Sequence, residues 1–185
     1  MPIPTILPDA NVLVPLSVRD TILRAAEAGL CQVRWTDAIL AEVERALVRQ
    51  RLTTAAQTAR LLEFMRTAFP DAPIRGYESS IERMTNHPKD RHVTAAAWRA
   101  QIDMIVTSNL RDFRERDLAP FDLRAIHPDD LLLRLFHADP DAMLGILRQQ
   151  ERDRRKPPQT LSEILDGLAV NVPRFAATIR QRLEA

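Results

Sequence analysis

The sequence predicts an α/β protein: a three-layer sandwich around a central parallel sheet, followed by an all-helical C-terminal extension. Three observations lead there. Short apolar or β-branched runs at residues 5–7, 31–35, 104–107 and 123–126 alternate with segments of helical hydrophobic period. The run Met104-Ile105-Val106-Thr107 reads as a parallel strand buried on both faces. Beyond Ala138 the strand pattern stops and only helical signals remain, which divides the chain into residues 1–138 and 139–185.

Taken in order, the first run ends at Asp9, and Val12 to Leu16 carry the apolar character into a helix with Ile22, Leu23 and Ala26, which Gly29 suits as a stop. Residues 31–35 form the next strand. Thr36 is then an N-cap for a helix whose Ile39, Leu40, Val43 and Leu47 share a face, with Glu42 in its interior. A helix follows over residues 54–69, its stripe assigned to Ala55, Ala59, Leu62, Met65 and Phe69, and Pro70 and Pro73 end it. After the turn-rich Asn86-His87-Pro88-Lys89, an Ala-rich helix covers residues 90–99 with Asp90 at its first turn or N-cap. The strand at 104–107 delivers Ser108 to Phe113 into a loop, residues 123–126 add a strand, and residues 129–136 a helix. In the extension, Asp139 and Pro140 start a helix through Gln150, and residues 151–158 read as a linker. Thr160 and Glu163 form a capping box, and a last helix after Asn171 uses Phe175, Ile179 and Leu183.

Composition excludes several classes. The single cysteine, Cys31, rules out an internal disulfide and a zinc cluster of thiolates, so a reducing cytoplasm is the expected setting and Cys31 is core filling. No basic-then-apolar leader opens the chain and no apolar run reaches bilayer length, so a soluble, unexported protein without membrane contact is expected. A net charge of +1 gives no global footprint for a polyanion, so binding to one must rest on local clusters or on bound metal.

The chemistry points to dispersed carboxylates. In open parallel sheets ligands collect beyond the carboxyl ends of the strands, where strand order reverses. Asp9 follows the first strand, and Asn109 and Asp112 follow the strand at 104–107; Glu42 and Asp90 lie on helices that can face the same edge. Four carboxylates gathered there need a divalent cation to neutralise them, and oxygen-only donors favour Mg2+ or Mn2+. Such an ion suits the attack of water on a phosphodiester. Each residue also has an ordinary use: Asp9 as a turn or N-cap residue, Asp90 as an N-cap, Glu42 as a solvated helix residue, Asp112 as a loop residue. His92 is given no catalytic role.

Four stretches, in order, resemble the PIN domain, in particular the VapC-like toxin ribonucleases of bacterial toxin–antitoxin pairs. They are Leu7-Pro8-Asp9-Ala10-Asn11-Val12-Leu13, Thr36 with Glu42, Lys89-Asp90-Arg91-His92-Val93-Thr94-Ala95-Ala96-Ala97, and Ile105-Val106-Thr107-Ser108-Asn109-Leu110-Arg111-Asp112-Phe113. The resemblance covers about the first 130 residues. It implies an endoribonuclease with Asp9, Glu42 and Asp90 as Mg2+ or Mn2+ ligands and Asp112 completing the acidic set. Asn11, Thr36, Thr107 and Asn109 would support the ligands or the phosphate. It also implies RNA as substrate, a protein antitoxin as partner, and frequently a homodimer. Two positions depart from the pattern: Asn109 stands where many relatives carry an aspartate, and Asn86 where an acid is common. Lys89, Arg91 and Arg111 flank the acidic elements and are candidates for phosphate contacts.

Three other readings compete. A phosphatase of the haloacid-dehalogenase type would use Asp9 as nucleophile, but it needs a second acid two residues on, where Asn11 stands. A catalytically silent PIN-like scaffold that binds RNA or protein is favoured by Asn109 and opposed by the four acids. A DNA-binding tail would use Arg148, Arg152, Arg154, Arg155 and Lys156, but Glu151 and Asp153 interrupt that charge and no recognition helix is evident.

Overall fold

The computed structural model describes residues 3–155 and 157–184. At its centre lies a parallel sheet of four strands, β1 (Thr5–Pro8), β2 (Gln32–Val33), β3 (Met104–Val106) and β4 (Ala125–Ile126), in the order β2-β1-β3-β4. Thr5 pairs with Gln32, Pro8 with Val106, and Val106 with Ile126. Ile6, Leu7, Ile105 and Val106 on the two central strands are wholly buried, which is why those runs carry no polar alternation. The chain leaves β1 for one side of the sheet and later returns past it to β3 and β4. The strand order therefore reverses between β1 and β3, and in open parallel sheets the edge beyond the carboxyl ends at such a reversal is where ligands collect.

Ten helices surround this sheet among the described residues. The first five are α1 (Ala10–Leu13), α2 (Leu16–Glu27), α3 (Asp37–Arg49), α4 (Ala55–Ala68) and α5 (Arg91–Arg99). The rest are α6 (Glu115–Leu118), α7 (Pro128–Ala138), α8 (Pro140–Asp153), α9 (Leu161–Ala169) and α10 (Pro173–Glu184). The β1–β2 connection carries α2 and the β2–β3 connection carries α3 to α5 in the opposite direction along the sheet; the right-handed rule for such crossovers puts them on opposite faces, giving three layers. The local signals explain the boundaries. Thr36 caps α3 by accepting from Ile39 N at 3.1 Å, and Thr54 with Gln57 and Thr160 with Glu163 close capping boxes on α4 and α9. Gly29, at φ +76°, turns the chain out of α2. Ala95, Ala96 and Ala97 are wholly buried, and their small side chains let α5 lie close against β3.

The structure departs from the sequence expectations in five places. On α4 the buried positions are Thr58, Leu62 and Met65, while Ala55 and Ala59 face solvent. Thr58 tolerates burial because its hydroxyl is satisfied by Thr54 O at 3.1 Å and by the Thr53 hydroxyl. The expected linker is shorter, because α8 runs to Asp153 and Glu151 reaches over to accept from Leu161 N at 2.8 Å. Leu183 is exposed on α10, whose core face is Phe175, Ala176 and Ile179. The loop after β3 contains a 3-10 turn, Leu110–Asp112. A second such turn, Glu78–Arg83, packs on α5 and stacks the Arg83 guanidinium 4.7 Å from the centre of the Trp98 ring.

The C-terminal helices dock onto the sheet domain rather than trailing from it. Asp129 on α7 accepts from Arg174 N and Phe175 N at 3.1 and 2.7 Å, which caps α10. On the other side Gln150 donates to Thr21 Oγ1, Arg154 pairs with Asp20 and Asp153 with Arg24, all tying α8 to α2. Three members of the basic cluster make contacts within the chain: Arg154 with Asp20, Arg152 with Gln149, and Arg155 with Arg152 O. Lys156 lies outside the described residues. No described helix is long and apolar enough to cross a membrane. Cys31 is buried, and burial pushes its thiol up to about 12, so it stays protonated and unreactive.

Candidate functional site

The site is built where β1 and β3 end. Asp9 directly follows β1, its N–H donating to Val106 O at 2.9 Å, and its side chain caps α1 by accepting from Ala10 N at 2.7 Å. The structural use as a cap is thus real, but it occupies only Oδ1. Oδ2 accepts from Thr107 Oγ1 at 3.0 Å and from Asn11 Nδ2.

Thr107 and Asn11 hold Asp9 in a saturated network. The Thr107 hydroxyl donates to Asp9 and accepts from Asn11 Nδ2 at 3.0 Å and Asn109 N at 3.1 Å, which exhausts one donor and two lone pairs. Asn11 Oδ1 in turn accepts from Ser108 N at 3.0 Å. Each supporting residue fixes another, so the rotamer of Asp9 is set before any ligand arrives. Asn109 then passes the connection on, since its Nδ2 donates to Asp112 Oδ2. The residue standing where many relatives carry a carboxylate thus orients a carboxylate three positions later.

Asp90 stands at the N-cap position of α5, yet its side chain makes no capping hydrogen bond, so its oxygens remain free. Its neighbours are His87 Nδ1, at 3.5 Å from Oδ2, and the carboxylate of Asp112. Glu42 projects from α3, with His92 Nε2 at 3.3 Å from its Oε1 but without the alignment of a hydrogen bond. His92, given no role from the sequence, therefore faces Glu42 from the helix that Asp90 opens.

Electrostatics show that the acids sense one another. Burial pushes the Asp9 carboxyl from 3.8 up to about 6; the Thr107 and Ala10 hydrogen bonds pull against that, and the charges of Asp90 and Glu42 add to it. The Asp90 carboxyl is also raised, first by burial, then by Asp112 and, more weakly, Glu42, with His87 and His92 opposing. Like charges gathered at fixed positions suit a divalent ion. Ligand atoms of His87, Asp90 and Asp112 all lie within 4.8 Å of one another, the one such group of three among the described residues. Asp9 and Glu42 stand outside that group, Asp9 directly after β1 and Glu42 on α3.

The remaining sequence candidates divide. Thr36 is wholly buried and serves as the cap of α3, making no hydrogen bond to the acidic residues. Lys89 is exposed on the turn Pro88–Asp90. Arg91 spends its Nε on Asn86 O at 3.2 Å, stitching the turn to α5. Arg111 is 86% exposed, with Nε 3.8 Å from Asp112 Oδ1. Sequence reasoning missed His87 as a neighbour of the acids; its signal was the spacing His87 to Asp90, one 3-10 turn apart.

Comparison with known proteins bears on this geometry. Residues 5–111 match the family model described as PIN domain, and residues 128–181 match the model described as VapC50 C-terminal domain, which takes in α7. A curated protein named "Putative ribonuclease VapC50", from Mycobacterium tuberculosis (strain ATCC 25618 / H37Rv), is 41% identical over 106 residues. That stretch is 57% of this chain and 63% of that protein, so the match spans less than two thirds of the relative's length. No solved structure matches.

Proposed function

Because the chain belongs to the PIN-domain family, we propose that it is a divalent-metal-dependent endoribonuclease that hydrolyses RNA phosphodiester bonds as the toxin of a toxin–antitoxin pair. The observation that carries this reading is the buried Asp9 carboxylate, locked by Thr107 and Asn11 and sensing the charges of Asp90 and Glu42 at the sheet's switch point. Asp9, Glu42, Asp90 and Asp112 are the proposed ligand set for Mg2+ or Mn2+. When bound, such an ion supplies charge neutralisation at the phosphate and activation of water.

The chain's own groups do the rest. Asn11 and Thr107 hold Asp9 Oδ2 in place, and Asn109 holds Asp112. His92 Nε2 lies 3.3 Å from Glu42 Oε1, beside the proposed ligand. Arg111 and Lys89, both exposed, are the proposed contacts to the phosphate backbone of an incoming strand. The division into a nuclease domain, residues 1–138, and a helical extension, 139–185, belongs to the same proposal, with α7 as the wall they share. So do a protein antitoxin as partner and a homodimeric form.

Asn109 is what a catalytically silent scaffold would rest on, but its hydrogen bond to Asp112 gives it a use that leaves four carboxylates at the edge. The test is cleavage of a panel of structured RNAs by the partner-free protein with Mg2+, with Mn2+ and with EDTA, beside Asp9→Asn. Metal-dependent cutting lost in the variant supports the nuclease; intact RNA under every condition supports the scaffold.

A further inference from the structure

The nuclease reading leaves one cavity and one buried charge unused, and the two coincide. Between the sheet domain and the C-terminal helices lies a cavity of about 480 Å3, lined by none of the four acids of the candidate site. We propose that it binds a small organic monoanion with an apolar body, an aliphatic carboxylate, whose charge is met by Arg19. The proposal goes beyond the nuclease reading and does not depend on it.

The cavity is assembled from pieces distant in sequence. Val14 and Leu16 flank the turn from α1 into α2, Leu47 and Leu52 come from the end of α3 and the turn after it, and Ile164 and Val170 come from α9 in the extension. Leu47 and Ile164 are buried and form the inner wall. Leu16, Leu52 and Val170 are 52%, 57% and 80% exposed and stand at the mouth. Three of the eight large apolar side chains left exposed among the described residues thus surround one opening, whereas scattered singly they would need no explanation. A mainly apolar concavity of this size with a polar group inside it is the usual form of a small-molecule site.

Arg19 is the second, independent observation. It stands on α2, is 5% exposed and lines the cavity. Its Nη1 donates to Leu13 O and Val14 O, which serves the carbonyl end of α1. Among the described residues, no acceptor meets its Nε or Nη2 and no carboxylate pairs with it. Asp20, next in sequence, is held by Arg24 at 3.0 Å and Arg154 at 3.2 Å. Glu163, the carboxylate in the cavity lining, is turned back onto Thr160 N at 2.7 Å. Burial is the main influence against the Arg19 charge; Asp20 offsets part of it and Arg154 adds to it. A guanidinium keeps its proton even so, and a buried cation without a carboxylate carries a free-energy cost that a bound anion offsets.

These features define the ligand. One unpaired cation selects a single negative charge, and the leucine, isoleucine and valine walls select an aliphatic body. A slender molecule can pass the exposed mouth to a side chain so deeply placed; a flat protein surface cannot.

The experiment titrates the full chain with octanoate by calorimetry. Octanol and inorganic phosphate are the controls, carrying the apolar body or the charge alone. Saturable binding of octanoate is expected, with each control weaker by about tenfold or more, the scale of one hydrogen bond to a charged group. Because the lining comes from both α2 and α9, hydrogen exchange in α9 should slow when octanoate binds. Arg19→Met removes the charge but also the contacts to α1, so circular dichroism accompanies it. Leu52→Glu alters only the mouth, at a residue 57% exposed, and sets a repelling carboxylate there. Both variants are expected to bind octanoate about tenfold more weakly or worse, Leu52→Glu with wild-type stability. No octanoate binding, octanol bound as tightly as octanoate, or affinity and α9 protection unchanged in Leu52→Glu overturns the site, whether or not Arg19→Met folds. Any of these results leaves the nuclease reading standing, since metal-dependent RNA cleavage is measured separately.

Discussion

Thr107 Oγ1 donates to Asp9 Oδ2 at 3.0 Å, joining the ends of neighbouring strands between residues 98 apart in sequence. The bond is possible because β1 and β3 are in register, Pro8 beside Val106, so the next residue on each strand meets the other. Thr107→Val keeps the shape but removes a donor from Asp9 Oδ2, one of the two acceptors of Asn11 Nδ2 and the acceptor of Asn109 N. Urea unfolding is expected to show a loss of about 1–3 kcal/mol, largely recovered in Thr107→Ser. A fully stable valine variant would show that the network does not hold the strand ends.

Asp9 makes the metal-free protein sensitive to pH in a definite direction. Its carboxyl is at about 6 in the fold against 3.8 ordinarily, so the folded state holds this proton more tightly than the unfolded one. Below about pH 4 both states are protonated and the group contributes nothing. As pH rises toward about 6 the unfolded chain ionises first, and above that a destabilisation of up to about 3 kcal/mol is fully developed. In EDTA, the stability of Asp9→Asn relative to the wild type should therefore rise between about pH 4 and 6 and level off above. Thermal unfolding of both chains across that window checks it; a flat difference contradicts it.

Asn109→Ala removes the amide that aims Asp112 while leaving every carboxylate in place. Metal affinity measured by calorimetry is expected to fall about tenfold to a hundredfold, the usual effect of losing a residue that orients a ligand. Unchanged affinity would mean that Asp112 needs no help from Asn109.

Asp129→Ala uncaps α10, since both Arg174 N and Phe175 N lose their acceptor. A cost of about 1–2 kcal/mol is expected. Hydrogen exchange should quicken at the start of α10, while RNA cleavage stays near the wild-type rate because the acidic edge is untouched. Protection unchanged at Arg174 and Phe175 would count against the cap.

What was readable in the sequence is what local signals encode. Asp9 ends an apolar run, Thr36 marks the start of the helix that carries Glu42, and Asp90 opens an alanine-rich helix, so their topological positions follow from order and period. What was hidden depends on neighbours distant in the chain. His87 reads as part of a turn until Asp112 is seen beside it, and His92 reads as packing until α5 is seen against Glu42. On α4 the pattern misassigned Ala55 and Ala59 because binary hydrophobicity ranks alanine above threonine, while Thr58 pairs its hydroxyl locally and buries. The seating of α8 on α2 through Gln150, Arg154 and Asp153 is set by side chains that look like ordinary surface polarity in the sequence.

The most direct test of the nuclease proposal is analysis of the ends produced when the purified, partner-free chain is incubated with end-labelled RNA and Mn2+. Attack of water at phosphorus is expected to leave an open phosphate monoester and a free hydroxyl, with no product in EDTA or with Asp9→Asn. Cleavage that persists without metal, or ends carrying a 2′,3′-cyclic phosphate from attack by the RNA's own hydroxyl, would contradict it.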